Sequence, residues 1–517
     1  MKSYWTTLSH RGVSFPDEYQ PDGLSVKVNG KSVKLSPLAE EMAYNLAKKK
    51  DTPYIQDPTF RNNFMGDFVK QLPSEFRKAK YEDVDFSELF AKVDREKAAK
   101  EGMSKEQKKT LAASRKERRE SLKKEFGFAV IDGKQVEFAN YMVEPPGLFM
   151  GRGKHPFRGR WKPRVTSRDV ILNLDKNTKV PGDWKGVVHD RESMWMAKWV
   201  DKLTGKEKYV WLHESSDIQQ SRSMAKYDKA NKVEDKLAKI RKAIDEKMRS
   251  KDPTERQVAT VCYLIDHLGM RVGDEKDEDE ADTVGASTLR VEHVNVKGGT
   301  VEFDFLGKDS IPWKKSITPP SEVLRNLEEF KRGKKPDTEI FHDVTSSMVN
   351  QFLSGIAKGL SAKMFRTYHA TVTAREALAT VDVDGMDEVE KLYAAKEANL
   401  MAAVFCNHQR TPPKTWEKAF ENKKAKLEEA KSKPKPNEAR VKKLQMELEF
   451  YKRTKNYNLN TSLKNYIDPR VYKRWCDQVG LDWAKIYSTS LQRKFSWVAT
   501  SKPSQQGKPI APVAASH

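Results

Sequence analysis

The chain has 517 residues, with 96 Lys and Arg against 74 Asp and Glu, a formal net charge of +22. Hydrophobic residues make up 37%, below the ~45–50% of an average globular domain, yet a chain of this length, expected to form about three domains, still holds enough apolar material for their cores. Runs such as Leu400 to Cys406 fall far short of the ~20 residues of a bilayer span, and the opening MKSYWTTLSHRG lacks the apolar centre of a signal peptide. Membrane and secreted classes are thereby excluded. Three cysteines (Cys262, Cys406, Cys476) without a C-x-x-C, and ten histidines without an H-E-x-x-H, point to a reducing compartment. They exclude a metal site built from the usual soft ligands.

An excess of this size calls for a polyanion, and nucleic acid leads because neutralised phosphates release counterions. Along the chain, the first ~90 residues mix a strand at Leu24–Val28 with a helix pattern from Pro37 to Lys48. Residues 92–126 are nearly all Lys, Arg, Glu, Ala and Ser, broken near Gly102, and predict a pair of solvated helices, with a DNA-facing arm as the alternative. Strand signals dominate from Phe126 to Leu212. Within them, residues 151–164 interleave cations and glycines with Phe157 and Trp161, a composition suited to backbone and base contacts.

From Ser221 the pattern turns helical. Asp252 as N-cap, Pro253 at the first position and Glu255 closing a capping box open a helix marked by Val258, Val261, Leu264, Ile265 and Leu268. Arg271 then emerges at or just past its end. After the acidic run 274–280, Val301 to Phe305 alternates as a strand, 307–310 turns, and Ile311 starts the return, so Lys308 sits on a hairpin tip. Residues 414–453 predict two helices broken by Pro434 and Pro436, an antiparallel hairpin protruding from the body. Beyond Ser501 the composition predicts disorder.

Some motifs fail. Gly30-Lys31-Ser32 lacks the P-loop's first glycine, because position 25 is Ser25, which disfavours a nucleotide-driven machine. The run 274–280 lacks EF-hand spacing and reads as a solvated loop. What remains is a set of cations and one tyrosine: Arg271, Lys308, Lys363 to His369, Asn407 to Arg410, and Thr461 to Arg470 with Tyr466 ahead of Asp468-Pro469. Singly, each has an ordinary structural explanation as an ion pair, a cap or a core aromatic.

Together they carry a resemblance. Leu268 to Lys276, Ala281 to Gly285, Leu289 to His293, Phe303 to Ser310, Phe365 to Tyr368, Cys406 to Arg410 and Ser462 to Arg470 resemble the eukaryotic-type DNA topoisomerases of class IB, as do Trp5 to Phe15, Lys34 to Pro37 and Glu144 to Phe149. The resemblance spans residues 3–500. It implies Tyr466 as nucleophile, with Arg271, Lys308, Arg366 and His408 as catalytic partners. It also implies DNA contacts by Arg152, Lys208, Tyr209, Lys226, Lys276, Thr283, Asp309, Asn350, Lys363 and Asn465. Met150 stands where the family often has arginine. A shorter linker and the lack of a long charged N-terminal extension look more like archaeal members, which implies a cytoplasmic, nucleoid-associated enzyme rather than a nuclear one.

The fold so implied is α+β: a strand-rich N-terminal clamp lobe over 1–212 with the helical insert at 92–126, then a mostly helical catalytic core over 213–413 resembling tyrosine recombinases. A helical-hairpin linker over 414–455, a segment over 456–500 carrying Tyr466, and a disordered tail over 501–517 complete it. The expected partner is double-stranded DNA, the expected state a monomer, and no cofactor or metal is expected. The chemistry suits these residue types. A phenol of pKa ~10 is only about one part in a thousand ionised at pH 7, and attack on a phosphodiester builds charge that two forked guanidiniums and a histidine can absorb. A lysine on a movable tip suits protonation of the leaving 5′-oxygen. A tyrosine recombinase, which uses a similar set, and a non-catalytic DNA-packaging protein are the rival readings.

Overall fold

The computed structural model describes residues 3–273 and 282–499, and the chain divides into two compact units, the first running to Gln219 and the second starting at Gln220. No described helix is long and apolar enough to cross a membrane. Lys276, the acidic run 274–280 and the segment 501–517 lie outside the described residues.

In the first unit, β1 (Leu8–His10) precedes the hairpin β2 (Ser25–Val28) and β3 (Lys31–Lys34), which faces α1 (Pro37–Ala47) and α2 (Pro58–Phe68). Ser36 caps α1 by accepting from the Ala39 N–H at 3.2 Å, with Pro37 in the first turn. The short β4 (Val84–Asp85) joins β2, and Phe60, Phe64, Phe68 and Phe86 fill the core between them. Then come α3 (Ser87–Gly102) and α4 (Lys105–Phe126). The latter has no buried residue and is held at its start by a Ser104–Gln107 capping box, so the charge run 92–126 forms the expected pair of solvated helices. After β5 (Phe128–Ile131) and β6 (Lys134–Glu137), the short pair β7 (Gly147–Leu148) and β8 (Trp161–Lys162) adds Leu148 and Trp161 to that first core. A second core lies among β5, β6, β9 (Val170–Asn173), β11 (Trp195–Val200) and β12 (Glu207–Trp211), with β10 (Gly186–Val188) paired to β9. β1 pairs with β5, and the largest sheet runs β10-β9-β11-β12.

The second unit takes most of α5 (Asp217–Met248), followed by α6 (Pro253–Leu268). Asp252 caps α6 through the Thr254 N–H at 2.8 Å. Glu255 does not complete the predicted box. Its carboxylate instead accepts from the Ser250 hydroxyl (2.5 Å) and from Lys247, because a lysine at the end of α5 and a hydroxyl in the loop after it compete with the Asp252 N–H. The helix is buried nearly all round and stops at Gly269, whose φ of +64° is left-handed. The sheet β13 (Val294–Lys297), β14 (Thr300–Gly307) and β15 (Ile311–Ile317) is antiparallel throughout. Val301, Phe303 and Phe305 point into the core shared with α6, α7 (Ser321–Lys331) and α8 (Ser346–Ile356).

A second core packs α9 (Ala362–Ala379) against α10 (Glu388–Phe405). The linker helices α11 (Trp416–Lys431) and α12 (Glu438–Arg453) pair with each other, and Trp416 is stacked between Phe420 (5.1 Å) and Tyr451 (5.4 Å). The hairpin is also tied to the body along α10. Lys442 reaches Glu390 at 2.6 Å, Arg453 reaches Glu397 at 2.6 Å, and Phe450 meets the edge of Tyr393. After it come α13 (Leu459–Asn465) and α14 (Pro469–Val479).

Candidate active site

Five segments converge in the second unit. The end of α6 supplies Arg271, the β14–β15 turn Lys308, the body of α9 Arg366, and the end of α10 His408; Tyr466 follows α13 directly. One open concavity is lined by Arg271, Lys308, Arg366 and Tyr466, and the adjoining one by Arg271, Lys308, Arg366 and His408. The structure therefore brings together the whole set that the resemblance singles out. Thr283 and Lys363 line the same wall as Tyr466.

Each position has a local cause. Arg271 lies on a strap whose backbone is bound to 284–288: its carbonyl accepts from Ala286 N–H at 2.8 Å, and that of Val272 from Ser287 N–H at 2.6 Å. The strap can close only because a Cβ on Gly285 would lie 2.4 Å from Gly273 Cα. Lys308 opens a turn in which Asp309 (φ +67°) and Ser310 (φ +56°) are left-handed, a conformation Asp tolerates better than most residues. His408 follows Asn407 (φ +52°). Its segment pairs with the one leading to the tyrosine: the His408 carbonyl accepts from Asn458 N–H at 2.7 Å, and Arg410 N–H donates to Asn456.

Tyr466 is 7% exposed. Its N–H donates to Ser462, its carbonyl accepts from the Thr371 hydroxyl at 3.3 Å, and the same hydroxyl accepts from Asp468 N–H at 3.0 Å. Thr371 stands on α9 with Arg366, so tyrosine and arginine share one rigid support. Asp468 caps α14 and chelates Arg470, which reaches Asp228 on α5 at 2.8 Å.

Around the phenol, Arg271 Nη1 donates to Tyr466 Oη at 3.2 Å. The Arg366 guanidinium lies 5.3 Å from the ring centre and the His408 ring 4.8 Å away. Burial alone would push the Tyr466 pKa up, but Arg366 and Arg271 outweigh it and hold the phenol below its ordinary value. Arg366, itself 4% exposed, donates to Gly269 O and, at 2.8 Å, to Cys406 O. Its Nη2 also faces His408 Nε2 at 3.3 Å, while Arg366 Nε and His408 Nδ1 are buried without partners. Burial, then the two arginines, pull His408 down to about 3, so the imidazole is neutral. Among the described residues no group of three or more His, Cys, Asp and Glu could hold a metal ion.

The remaining sequence candidates fall in both units. Asn465 is exposed beside Tyr466, and its carbonyl accepts from Lys226 Nζ at 2.8 Å. Asn350 Oδ1 accepts from Ala362 N–H at 3.0 Å, so it also holds the start of α9 ahead of Lys363. Asp309 stands in the turn next to Lys308. In the first unit Arg152 is exposed in the loop after β7; on β12, Lys208 lies 3.7 Å from Glu144 and the Tyr209 hydroxyl donates to Glu207. Sequence reasoning missed Thr371 and Gly285. A single sequence offers no signal for either, since their roles arise from backbone partners that only the fold brings close.

Comparison with known proteins places this geometry. Eukaryotic DNA topoisomerase I, DNA binding fragment, matches residues 3–212; Eukaryotic DNA topoisomerase I, catalytic core, matches 215–441; and the C-terminal topoisomerase domain matches 438–505. DNA topoisomerase 1 of Chlorocebus aethiops and that of Homo sapiens are each 35% identical over 542 residues, covering 95% of this chain and 70% of theirs. DNA topoisomerase 1 beta of Arabidopsis thaliana is 34% identical over 544 residues, covering 96% and 59%. The chain belongs to the eukaryotic-type DNA topoisomerase I family, the class IB enzymes. DNA topoisomerase activity, an isomerisation of DNA, goes with that membership, and DNA is the partner.

The strap makes a prediction of its own. Gly285→Ala drives a methyl into Gly273 and displaces Arg271; since a shift of 1 Å can cost about 10² in rate, cleavage by single-turnover assay is expected to fall by about 10–100-fold with DNA affinity retained. Unchanged cleavage would mean the Arg271 strap does not set the rate.

Proposed function

We propose that this enzyme relaxes positive and negative supercoils in duplex DNA by transient cleavage of one strand at Tyr466. Tyr466 Oη attacks the scissile phosphorus, forming the Oη–P bond and breaking P–O5′; the phenolic proton leaves to solvent, and the Lys308 ammonium protonates the departing 5′-oxygen. Arg271, Arg366 and His408 donate to the non-bridging oxygens, where the transition state concentrates charge. The diester energy stays in the 3′-phosphotyrosyl link, so the 5′-hydroxyl reseals the strand by the reverse path without ATP or metal. Between the two steps the free end rotates. The observation that carries the reading is the Arg271–Tyr466 contact at 3.2 Å, inside a ring of three further cationic or donor side chains.

The finer architecture belongs to the same proposal. The Arg, Lys, Arg, His, Tyr set supports a catalytic unit related to tyrosine recombinases. Candidate DNA contacts in both compact units support a clamp acting as a monomer, with boundaries at 1–212, 213–413, 414–455 and 456–500. A cytoplasmic, nucleoid-associated setting rests on the short linker hairpin alone, and imaging a tagged copy in its own cells decides it. The function is tested by plasmid relaxation in EDTA without ATP, on DNA lacking any designed target site, followed by trapping and peptide mapping of the adduct. Tyr466 joined to a 3′ end is expected; another side chain, or a 5′ link, overturns the reading, and a need for one specific sequence would favour a recombinase.

Neutral His408 sets a further expectation. The role needs one N–H rather than a positive charge, so His408→Gln should retain most of the cleavage rate, losing about tenfold or less, where His408→Ala loses ~10²–10³. With the folded pKa near 3 against 6.5 for an unfolded histidine, the unfolded chain takes up the proton first. Stability contributed here is therefore present above pH 6.5 and lost as pH falls toward 3. The free-enzyme rate profile should show no histidine titration between pH 5 and 8; a step there that vanishes in His408→Gln would contradict a neutral donor.

A further inference from the structure

Lys315 lies on β15, on the same face as buried Trp313 and outside the lining of both concavities. Its Nζ donates to Leu268 O at 3.1 Å and Phe405 O at 2.9 Å, carbonyls at the C-terminal ends of α6 and α10. The ammonium stands 5.3 Å from the Trp313 ring centre and 5.1 Å from that of Phe405, and it makes no ion pair among the described residues. One residue beyond each helix end, Arg366 repeats the pattern on Gly269 O and Cys406 O. Two cations in series thus bridge two helix ends, and Arg271 follows Gly269 by two residues just as His408 follows Cys406 by two.

The physics favours a cation at this junction. The last carbonyls of a helix have no partner within it, and they concentrate the negative end of its dipole. Two such ends meeting side by side repel unless positive charge lies between them. They meet closely here: a Cβ on Gly269 would approach Phe405 Cε1 to 2.7 Å. Burial, assisted by Arg366 and opposed by Cys406, pulls Lys315 down to about 8, so this charge is held against a desolvation penalty that an apolar side chain would not incur.

We propose that Lys315 is a positioning residue for strand cleavage, its ammonium fixing the ends of α6 and α10 so that Arg271 and His408 face Tyr466 together. This rests on the catalytic roles proposed above. Because Lys315 acts through residues that hold the non-bridging oxygens, its loss slows attack whatever the leaving group is. A proton relay to Lys308, on the same hairpin, would instead matter only when the leaving oxygen needs a proton.

The test compares Lys315→Met, Lys315→Gln and Lys315→Arg in thermal unfolding, duplex affinity and single-turnover cleavage, on a natural strand and on one whose bridging 5′-oxygen is replaced by sulfur. Lys315→Met is expected to bind DNA within about twofold and cleave about tenfold or more slowly on both substrates, with Lys315→Arg restoring most of the rate. Lys315→Gln gives the same comparison should the Met variant not fold. Parental cleavage in a folded Met or Gln variant, a folded Arg variant that cleaves no faster, or rescue by sulfur each overturns the proposal. Tyr466→Phe runs in parallel: adducts persisting in it sink the catalytic reading itself, whereas an inert Tyr466→Phe beside a fully active Lys315→Met sinks only this inference.

Discussion

Tyr466→Phe is expected to abolish strand cleavage and plasmid relaxation, a loss on the order of 10⁵–10⁶, the scale seen when an enzyme's nucleophile is removed. Only one oxygen leaves. The ring keeps its place between His408 and Arg366 (4.8 Å and 5.3 Å), and the backbone keeps its bonds to Ser462 and Thr371. What is given up is the hydrogen bonding of the hydroxyl with Arg271 Nη1 and with Arg366, both of which keep their charge beside the open concavity, so stability should move by no more than ~1 kcal/mol. Affinity for duplex should also stand, because it comes from many cation–phosphate contacts whose sum shows in the salt dependence. The measurement is therefore paired: a salt titration of binding and a denaturing-gel assay for the covalent adduct. Residual relaxation above about one part in a thousand of parental would place the nucleophile elsewhere.

The same variant shows how much of the site was legible beforehand. Tyr466 precedes Asp468-Pro469, and an Asp before Pro is a helix-start signal that α14 obeys, so the location of the tyrosine between two helices could be read directly. Lys308 was equally accessible, because strict alternation from Val301 to Phe305 fixes where the hairpin must turn. The solvated pair α3 and α4 follows from composition alone. What could not be read is the convergence. Arg366 and His408 are 42 residues apart in sequence and meet through the packing of α9 on α10, which helical periodicity describes one helix at a time. Glu255 failed as a capping partner for the same reason: Lys247 and Ser250, outside the motif, bind it first. Lys315 is a different case. Period-two alternation puts it on the face of Trp313, yet a lysine there reads as solvent-facing until the carbonyls of two helix ends come into view.

Lys308→Ala is expected to slow cleavage by ~10²–10⁴, the usual contribution of a general acid, and to recover most of that loss on a strand with sulfur in place of the bridging 5′-oxygen. The argument is one of leaving groups. A 5′-alkoxide is about as poor as hydroxide, whose conjugate acid has a pKa of ~15.7, and cannot depart unprotonated at a useful rate. A thiolate of pKa ~8.5 leaves without help. Lys308 lines the concavities with Arg271, Arg366, Tyr466 and His408 but sits exposed on a turn with two left-handed residues, so its removal opens no core and leaves the phenol's contact with Arg271 intact. A lysine in that role takes the proton back from the attacking 5′-hydroxyl during resealing, by microscopic reversibility. Cleavage and religation should then slow by the same factor, leaving the equilibrium fraction of covalent adduct unchanged while every approach to it lengthens. A variant that loses cleavage alone, or one that sulfur does not rescue, would assign Lys308 to holding the phosphate rather than to moving a proton.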